Sequence, residues 1–275
     1  MQSTLVDKQR EIILNRVKGY EKDAKRNIVN APLADLSIKV AGGGLLSNPN
    51  DLLLFAKALL ENKLLKQSTL EMMLRKSKLS NGKDIDYGLG FALTFENDSL
   101  KYFSHNGAGT GFSSMLLIDP KLKIASVHLI NIRDRNLGEP AKDILGMSIS
   151  DSIIKPTKTL SDVLMKTYSS AGIDSTNKML NHIYSNEQTE YTLNENEAVL
   201  FADDLIELKK IPDAITYLKD VIKLYPKSFR VMTALADTYL KDNNSGLALK
   251  YYRLASQIDN TNSRVNNLIK KLSSK

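Results

Sequence analysis

The chain has 275 residues, of which 42% are hydrophobic and 25% charged. That balance excludes a disordered chain and allows one large domain or two smaller ones. Net charge is +7, but lysines and acids are interspersed with no long basic run or basic–aromatic ladder, so the excess reads as a solubilising surface and no nucleic-acid partner is expected. With no cysteine, disulfides, thiol catalysis and Cys-ligated zinc are excluded. His105, His128 and His182 form no close-spaced ligand pair, so neither a metal nor a cofactor is expected.

Met1 to Lys8 lacks the apolar core of a signal peptide, and no apolar run reaches the roughly 18 residues of a membrane span. The chain reads as soluble, without an export address and without a membrane span. Residues 1–35 are polar and irregular. Ala41-Gly42-Gly43-Gly44-Leu45-Leu46-Ser47 marks a tight turn. Ser47 or Asn48 then serves as a helix N-cap, with Pro49 at the first helical position and Asp51 as a first-turn anion. Leu52, Phe55, Ala56, Leu59 and Leu60 recur at helical spacing, which predicts an amphipathic helix over 49–62; a second helix is expected over 67–76.

The pattern then becomes strand-like. Tyr87 to Phe95 reads as a strand, Asn97-Asp98 as a turn, and Leu100 to Ser104 as the next strand. Phe112 to Ile118 and Lys123 to Ile132 follow, the short connections implying an antiparallel meander. Ile124, Val127, Leu129 and Ile130 place apolar groups on both faces of the last strand, so helices should cover both sides of the sheet. One of them is expected over 139–154, with Ile144, Leu145, Met147, Ile149 and Ile153 buried. Between two of the strands lies His105-Asn106-Gly107-Ala108-Gly109-Thr110-Gly111-Phe112-Ser113-Ser114, with an imidazole at its entrance and three glycines that permit close backbone approach.

Pro156 ends this region, and the chain reads as helical from about residue 159. A shift of 34 residues superposes Ala202 on Ala236, Asp203 on Asp237, Ala214 on Ala248 and Tyr217 on Tyr251. It also places Leu205, Leu218 and Val221 on Tyr239, Tyr252 and Ala255. The small alanines let paired helices approach closely. This resembles tetratricopeptide repeats, one spanning about 195–228 and another about 229–262, although the consensus Trp and Gly are missing. Residues 159–190 would supply one further, degenerate helix pair. Such arrays present a groove to a peptide or protein partner, here with Asp203, Lys209 and Asp237 assigned to the first helices that face it.

The His105-Asn106-Gly107 triplet resembles the third active-site motif, Lys/His-x-Gly, of the serine β-lactamase and penicillin-binding-protein superfamily. The Ala-Gly-Gly-Gly-Leu-Leu-Ser loop, the helix after it and the Tyr-Gly-Leu-Gly-Phe segment precede it in the order that superfamily uses, and the resemblance covers about residues 15–155. It implies an α+β fold: a partial antiparallel sheet flanked by helices over 1–155, followed by an all-α repeat tail over 159–275. It implies a small-molecule or peptide substrate, acyl-serine chemistry on β-lactam, amide or ester bonds, and a bacterial, cell-envelope setting. Carried over residue by residue, His105 donates a hydrogen bond towards the substrate or the nucleophile, and the Ala108 N–H is one oxyanion-hole donor. Gly107 lets a ligand lie along the strand, and Asn106 holds the middle of the triplet, facing solvent or substrate.

The superfamily's nucleophile is a Ser in S-x-x-K, followed by Tyr-x-Asn and only then by Lys/His-x-Gly. Ser152-Lys155, Ser175-Lys178 and Tyr184-Asn186 all come after His105, and Ser80-Lys83 sits in an Asn-Gly turn without activating geometry. All are chance matches. Met1-Gln2-Ser3-Thr4 resembles the superfamily segment just after Tyr-x-Asn, which reads as a truncated gene, an internal start or a separated fragment. The site is therefore expected to lack its nucleophile and the chain alone to be inactive. Without the strands that members of the superfamily draw from before the nucleophile, association or poor solubility is expected.

Overall fold

The computed structural model describes residues 1–133, 138–150, 153, 155, 157–186 and 190–274. Pro156 and Ser152 of the sequence reading lie outside them. The protein is α+β, with two compact units: Met1–Lys22 with Ile28–Ile154, and Asp23–Asn27 with Lys155–Lys275.

In the first unit, β1 (Leu5–Val6) pairs with β4 (Leu45–Leu46), and β2 (Tyr20–Lys22) with β3 (Ile28–Asn30). Helix α1 (Pro49–Leu60) starts where the sequence places it: Asn48, not Ser47, is the cap, its side chain accepting the Asp51 N–H at 2.9 Å. Ser47 instead meets Thr4 Oγ1 at 2.8 Å. Asp51 is buried and anchors the chain start, accepting from Gln2 N, Ser3 N and Thr4 Oγ1 at 3.2, 2.9 and 2.8 Å. Burial raises its pKa, but those hydrogen bonds, Thr4's foremost, outweigh it and hold the carboxyl below the usual range. Helix α2 (Gln67–Met73) and the small hairpin β5 (Ser77–Lys78) and β6 (Asp84–Ile85) lead into the main sheet.

That sheet holds β7 (Ala92–Glu96), β8 (Ser99–Gly109), β9 (Phe112–Asp119) and β10 (Ile124–Ile130), antiparallel in the order β10-β9-β8-β7. Helices cover both faces. On one, Ala56 and Leu59 of α1 pack with Phe91, Leu93, Phe103, Leu116 and Ile118; on the other, Ala141 and Leu145 of α3 (Gly138–Met147) pack with Leu117, Met115 and Ile124. Ser126 Oγ donates to the Ala141 carbonyl at 2.7 Å, satisfying a buried hydroxyl beneath α3.

Two expectations need correction. Tyr87 to Phe91 is a tight loop rather than strand, because Gly88 runs against the end of α2, where a Cβ would stand 2.0 Å from the Met73 carbonyl oxygen. Helix α3 ends at Met147, and of the residues expected to be buried only Leu145 is; Ile149 and Ile153 are 56% and 88% exposed. The first unit also carries exposed apolar side chains at Ile12, Leu14, Leu33 and Ile38.

The second unit is helical. α4 (Leu160–Ser185) is two helices joined at Gly172, whose φ of 73° breaks the helical path. α5 (Glu195–Glu207), α6 (Ile211–Leu224), α7 (Phe229–Lys241) and α8 (Ser245–Ile258) form the two repeats, and α9 (Ser263–Ser273) follows. Asn194, Ser228, Asn244 and Asn262 cap α5, α7, α8 and α9, each accepting the N–H three residues on; such caps contribute about 1 kcal/mol each. Ala202, Ala214, Ala236 and Ala248 are buried at the helix contacts. The tyrosines that the repeat superposes differ: Tyr217 is fully buried, whereas Tyr251 stacks on Tyr239 at 5.6 Å. Among the described residues no helix is long and apolar enough to cross a membrane.

One ionic group of this unit is set against its surroundings. Asp204 on α5 is 7% exposed, and Arg26 lies 3.6 Å away while also donating to Asp162 at 2.7 Å. Burial is the main force that lifts the Asp204 pKa to about 7; Arg26 opposes it, and Asp203, Glu207 and Asp162 add to it. A raised acid stabilises the fold below its unfolded pKa and ceases to do so as pH climbs through the folded value. Between about pH 4 and pH 7, Asp204 therefore subtracts stability as pH rises. Urea denaturation should find Asp204→Asn close to wild type near pH 4 and more stable than wild type at pH 8; equal stability at both pH values would contradict this.

Candidate functional site

Strand β8 continues through the glycine-rich stretch, so His105, Asn106, Gly107 and Ala108 lie on a sheet strand rather than in a loop between strands. Its pairing is asymmetric. On one side β9 follows it to the end, from Phe103↔Ile118 to Gly109↔Phe112, where Thr110-Gly111 closes a two-residue hairpin. On the other side β7 stops at Ala92↔Ser104. Among the described residues no strand pairs with 105–109 along that edge.

The register decides what the edge displays. A two-residue hairpin closes on a hydrogen-bonded pair, and such pairs alternate with non-hydrogen-bonded ones along an antiparallel ladder. Counting back from Gly109↔Phe112, the main chains of His105, Gly107 and Gly109 turn towards β9, and those of Asn106 and Ala108 turn towards the unpaired edge. Side chains alternate as well. His105 and Gly107 share a face with their cross-strand partners Leu116 and Ser114, the face α1 covers further along; Asn106 and Ala108 share the α3 face with Met115 and Ser113.

His105 and Asn106 are exposed, Gly107 is half-buried and Ala108 exposed. His105 Nδ1 lies 2.7 Å from the Asn106 carbonyl oxygen. Its ring meets Tyr87 edge-on, with centroids 6.4 Å apart and planes at 72°. Tyr87 is a site residue that the sequence did not signal, because the contact depends on the loop before β7. Ser114 is another. A Cβ on Gly107 would stand 2.4 Å from Ser114 Oγ, so the glycine makes room for a hydroxyl from the neighbouring strand as well as for anything approaching from the edge.

The Ser-Lys and Tyr-Asn look-alikes are scattered. Ser80 is exposed between β5 and β6, while Ser175 and Tyr184 sit on α4 in the helical unit. Of the groove residues assigned to the repeats, Asp237 is engaged by Tyr252 Oη and by Arg264 at 2.6 Å, and Lys209 lies in the turn after α5 rather than on a helix. Among the described residues no cluster of three or more His, Asp or Glu is placed to hold a metal ion.

The Gly107–Ser114 contact makes a direct prediction. Gly107→Ala should cost about 1–3 kcal/mol, the usual range for overpacking. Adding Ser114→Gly should restore most of it. A double-mutant cycle measured by thermal unfolding checks this, and additive losses would show that the two positions do not touch.

The chain is 32% identical over 146 residues to the mouse (Mus musculus) mitochondrial serine beta-lactamase-like protein LACTB, covering 44% of this chain and 26% of that protein. The human (Homo sapiens) counterpart is also 32% identical, covering 44% and 27%. The chain thus spans about a quarter of the length of the curated relatives it matches, and these are mammalian rather than bacterial proteins. Among solved structures, a D-stereospecific amidohydrolase from a Streptomyces species is 24% identical, with 47% of this chain and 39% of that one covered at a TM-score of 0.38. The first tetratricopeptide domain of RPAP3, bound to an HSP90 peptide, is 15% identical, with 42% and 90% covered at a TM-score of 0.30. The Beta-lactamase family model matches residues 1–148, more than half of the 275 residues, and the chain belongs to the Beta-lactamase family.

Proposed function

We propose that residues 1–155 form one wall of an acyl-transfer site of the serine-hydrolase type, acting on an amide, β-lactam or ester bond, and that residues 159–275 form a separate repeat domain. The observation that carries this reading is the edge of β8 along which, among the described residues, no strand pairs, so that the main chains of Asn106 and Ala108 turn outward beside the His105 ring, whose Nδ1 meets the Asn106 carbonyl. A backbone N–H fixed on a strand needs no reorganisation when negative charge develops on an acyl oxygen, which is what makes it an effective oxyanion donor. Ala108 fills that role, Gly107 and Asn106 line the substrate's path, and His105 supplies the polar side chain at the entrance.

The attacking serine and its lysine come from outside these residues, since the one Ser-x-x-Lys ahead of His105, Ser80 to Lys83, is an exposed turn between β5 and β6 without activating geometry. The 275-residue chain should therefore hydrolyse neither nitrocefin nor a short-chain p-nitrophenyl ester above the buffer rate, and turnover by it would overturn the assignment of the nucleophile. Fusing an upstream segment that carries Ser-x-x-Lys and Tyr-x-Asn should create turnover, and His105→Ala should lower it by about 100-fold or more. Turnover in the fusion that is indifferent to His105 would contradict the role given to the imidazole.

A second reading assigns the helical unit a binding role. It is favoured by the two superposable helix pairs, packed through alanines at matching positions. A protein partner held by the full chain should be lost on Phe201→Ala, which empties a fully buried aromatic site in α5; binding that survives this substitution would not run through the repeats.

A further inference from the structure

The imidazole of His105 is held at two points. Nδ1 lies 2.7 Å from the Asn106 carbonyl oxygen. A carbonyl oxygen can only accept, so Nδ1 carries the hydrogen, and in the neutral ring Nε2 is then a bare acceptor. The ring also meets Tyr87 edge-on, an arrangement aromatic pairs favour. Tyr87 is itself fixed. It bridges to Ala92, which pairs with Ser104, the residue before His105. Its carbonyl accepts the Ser77 N–H at 2.9 Å. The next two residues are clamped as well, Gly88 N–H to the Phe91 carbonyl and Leu89 N–H to the Met73 carbonyl, both at 2.8 Å.

We propose that Tyr87 is a positioning residue for His105: together with the Asn106 carbonyl it keeps the neutral imidazole in the Nδ1–H tautomer, so that Nε2 accepts a hydrogen bond from a hydroxyl group. Rotating the ring by half a turn would put a carbon against the carbonyl and carry the ring through the volume beside Tyr87. The donor role that the family resemblance gives to this position is then open only to the protonated ring. The inference rests on the proposed acyl-transfer reading only in identifying that hydroxyl with the attacking alcohol.

The test is a long-range proton–nitrogen NMR spectrum of the full chain labelled with [15N]histidine, taken near pH 9, where an ordinary imidazole is neutral. His→Gln variants assign the three rings. His105 should show a protonated Nδ1 and an unprotonated Nε2. Tyr87→Phe should keep that pattern, because it keeps the ring edge. Tyr87→Leu should lose it, with the two His105 nitrogen shifts moving towards each other as the tautomers mix.

A protonated Nε2 on His105 in the wild-type chain would overturn the proposal. So would a Tyr87→Leu spectrum that matches wild type. Neither result bears on hydrolysis by the nucleophile-bearing fusion, so failure of the tautomer assignment and failure of the acyl-transfer reading remain distinguishable.

Discussion

The half-paired state of β8 is the constraint from which the rest of the site follows. Had β7 run on for five more residues, the polar main chain of 105–109 would be used up in a ladder, and the glycines would be a weakness in a central strand. Because β7 stops at Ala92, opposite Ser104, the outward-turned main chains of Asn106 and Ala108 meet no partner strand among the described residues. The same termination leaves space beside the strand, and the loop before β7 brings Tyr87 into it. One local event, the loss of a pairing partner, thus yields an outward main-chain donor at Ala108, an Asn106 carbonyl that holds the imidazole, and an aromatic neighbour for that ring.

The surroundings keep that edge in place. Phe103, Leu116 and Ile118 are buried under α1, and Leu117 under α3, so the stretch of β8 and β9 leading up to His105 is locked from both faces. The open stretch is a short continuation of a rigid sheet, which suits a site whose donors must not move when charge develops. Gly107 fits this logic twice: it gives room to the Ser114 hydroxyl across the ladder and keeps the strand narrow at the edge.

Much of this could be read from residue order. The helical start at Asn48-Pro49, the antiparallel meander and the 34-residue repeat each rest on local or periodic signals, and such signals survive without knowledge of the tertiary fold. The misreadings have a common cause. Tyr87 to Phe91 carries strand-like residues, but Gly88 is pressed against the α2 terminus, a contact no spacing rule reveals. Ile149 and Ile153 look like a helix's buried stripe, yet α3 ends before them. The site was legible in part. His105, Gly107 and Ala108 stood out as a motif. Tyr87 and Ser114 did not, because they reach the imidazole and the glycine only through strand register and a loop. The difference between Tyr217 and Tyr251, identical in the repeat, likewise depends on which neighbours each helix meets.

The exposed strand edge can be measured amide by amide through native-state hydrogen exchange on the intact chain. The N–H groups of His105, Gly107 and Gly109 turn towards β9 and should be protected, whereas those of Asn106 and Ala108 should exchange many times faster. Uniform protection across 105–109 would mean that something pairs with this edge, and the half-open cleft would have to be abandoned.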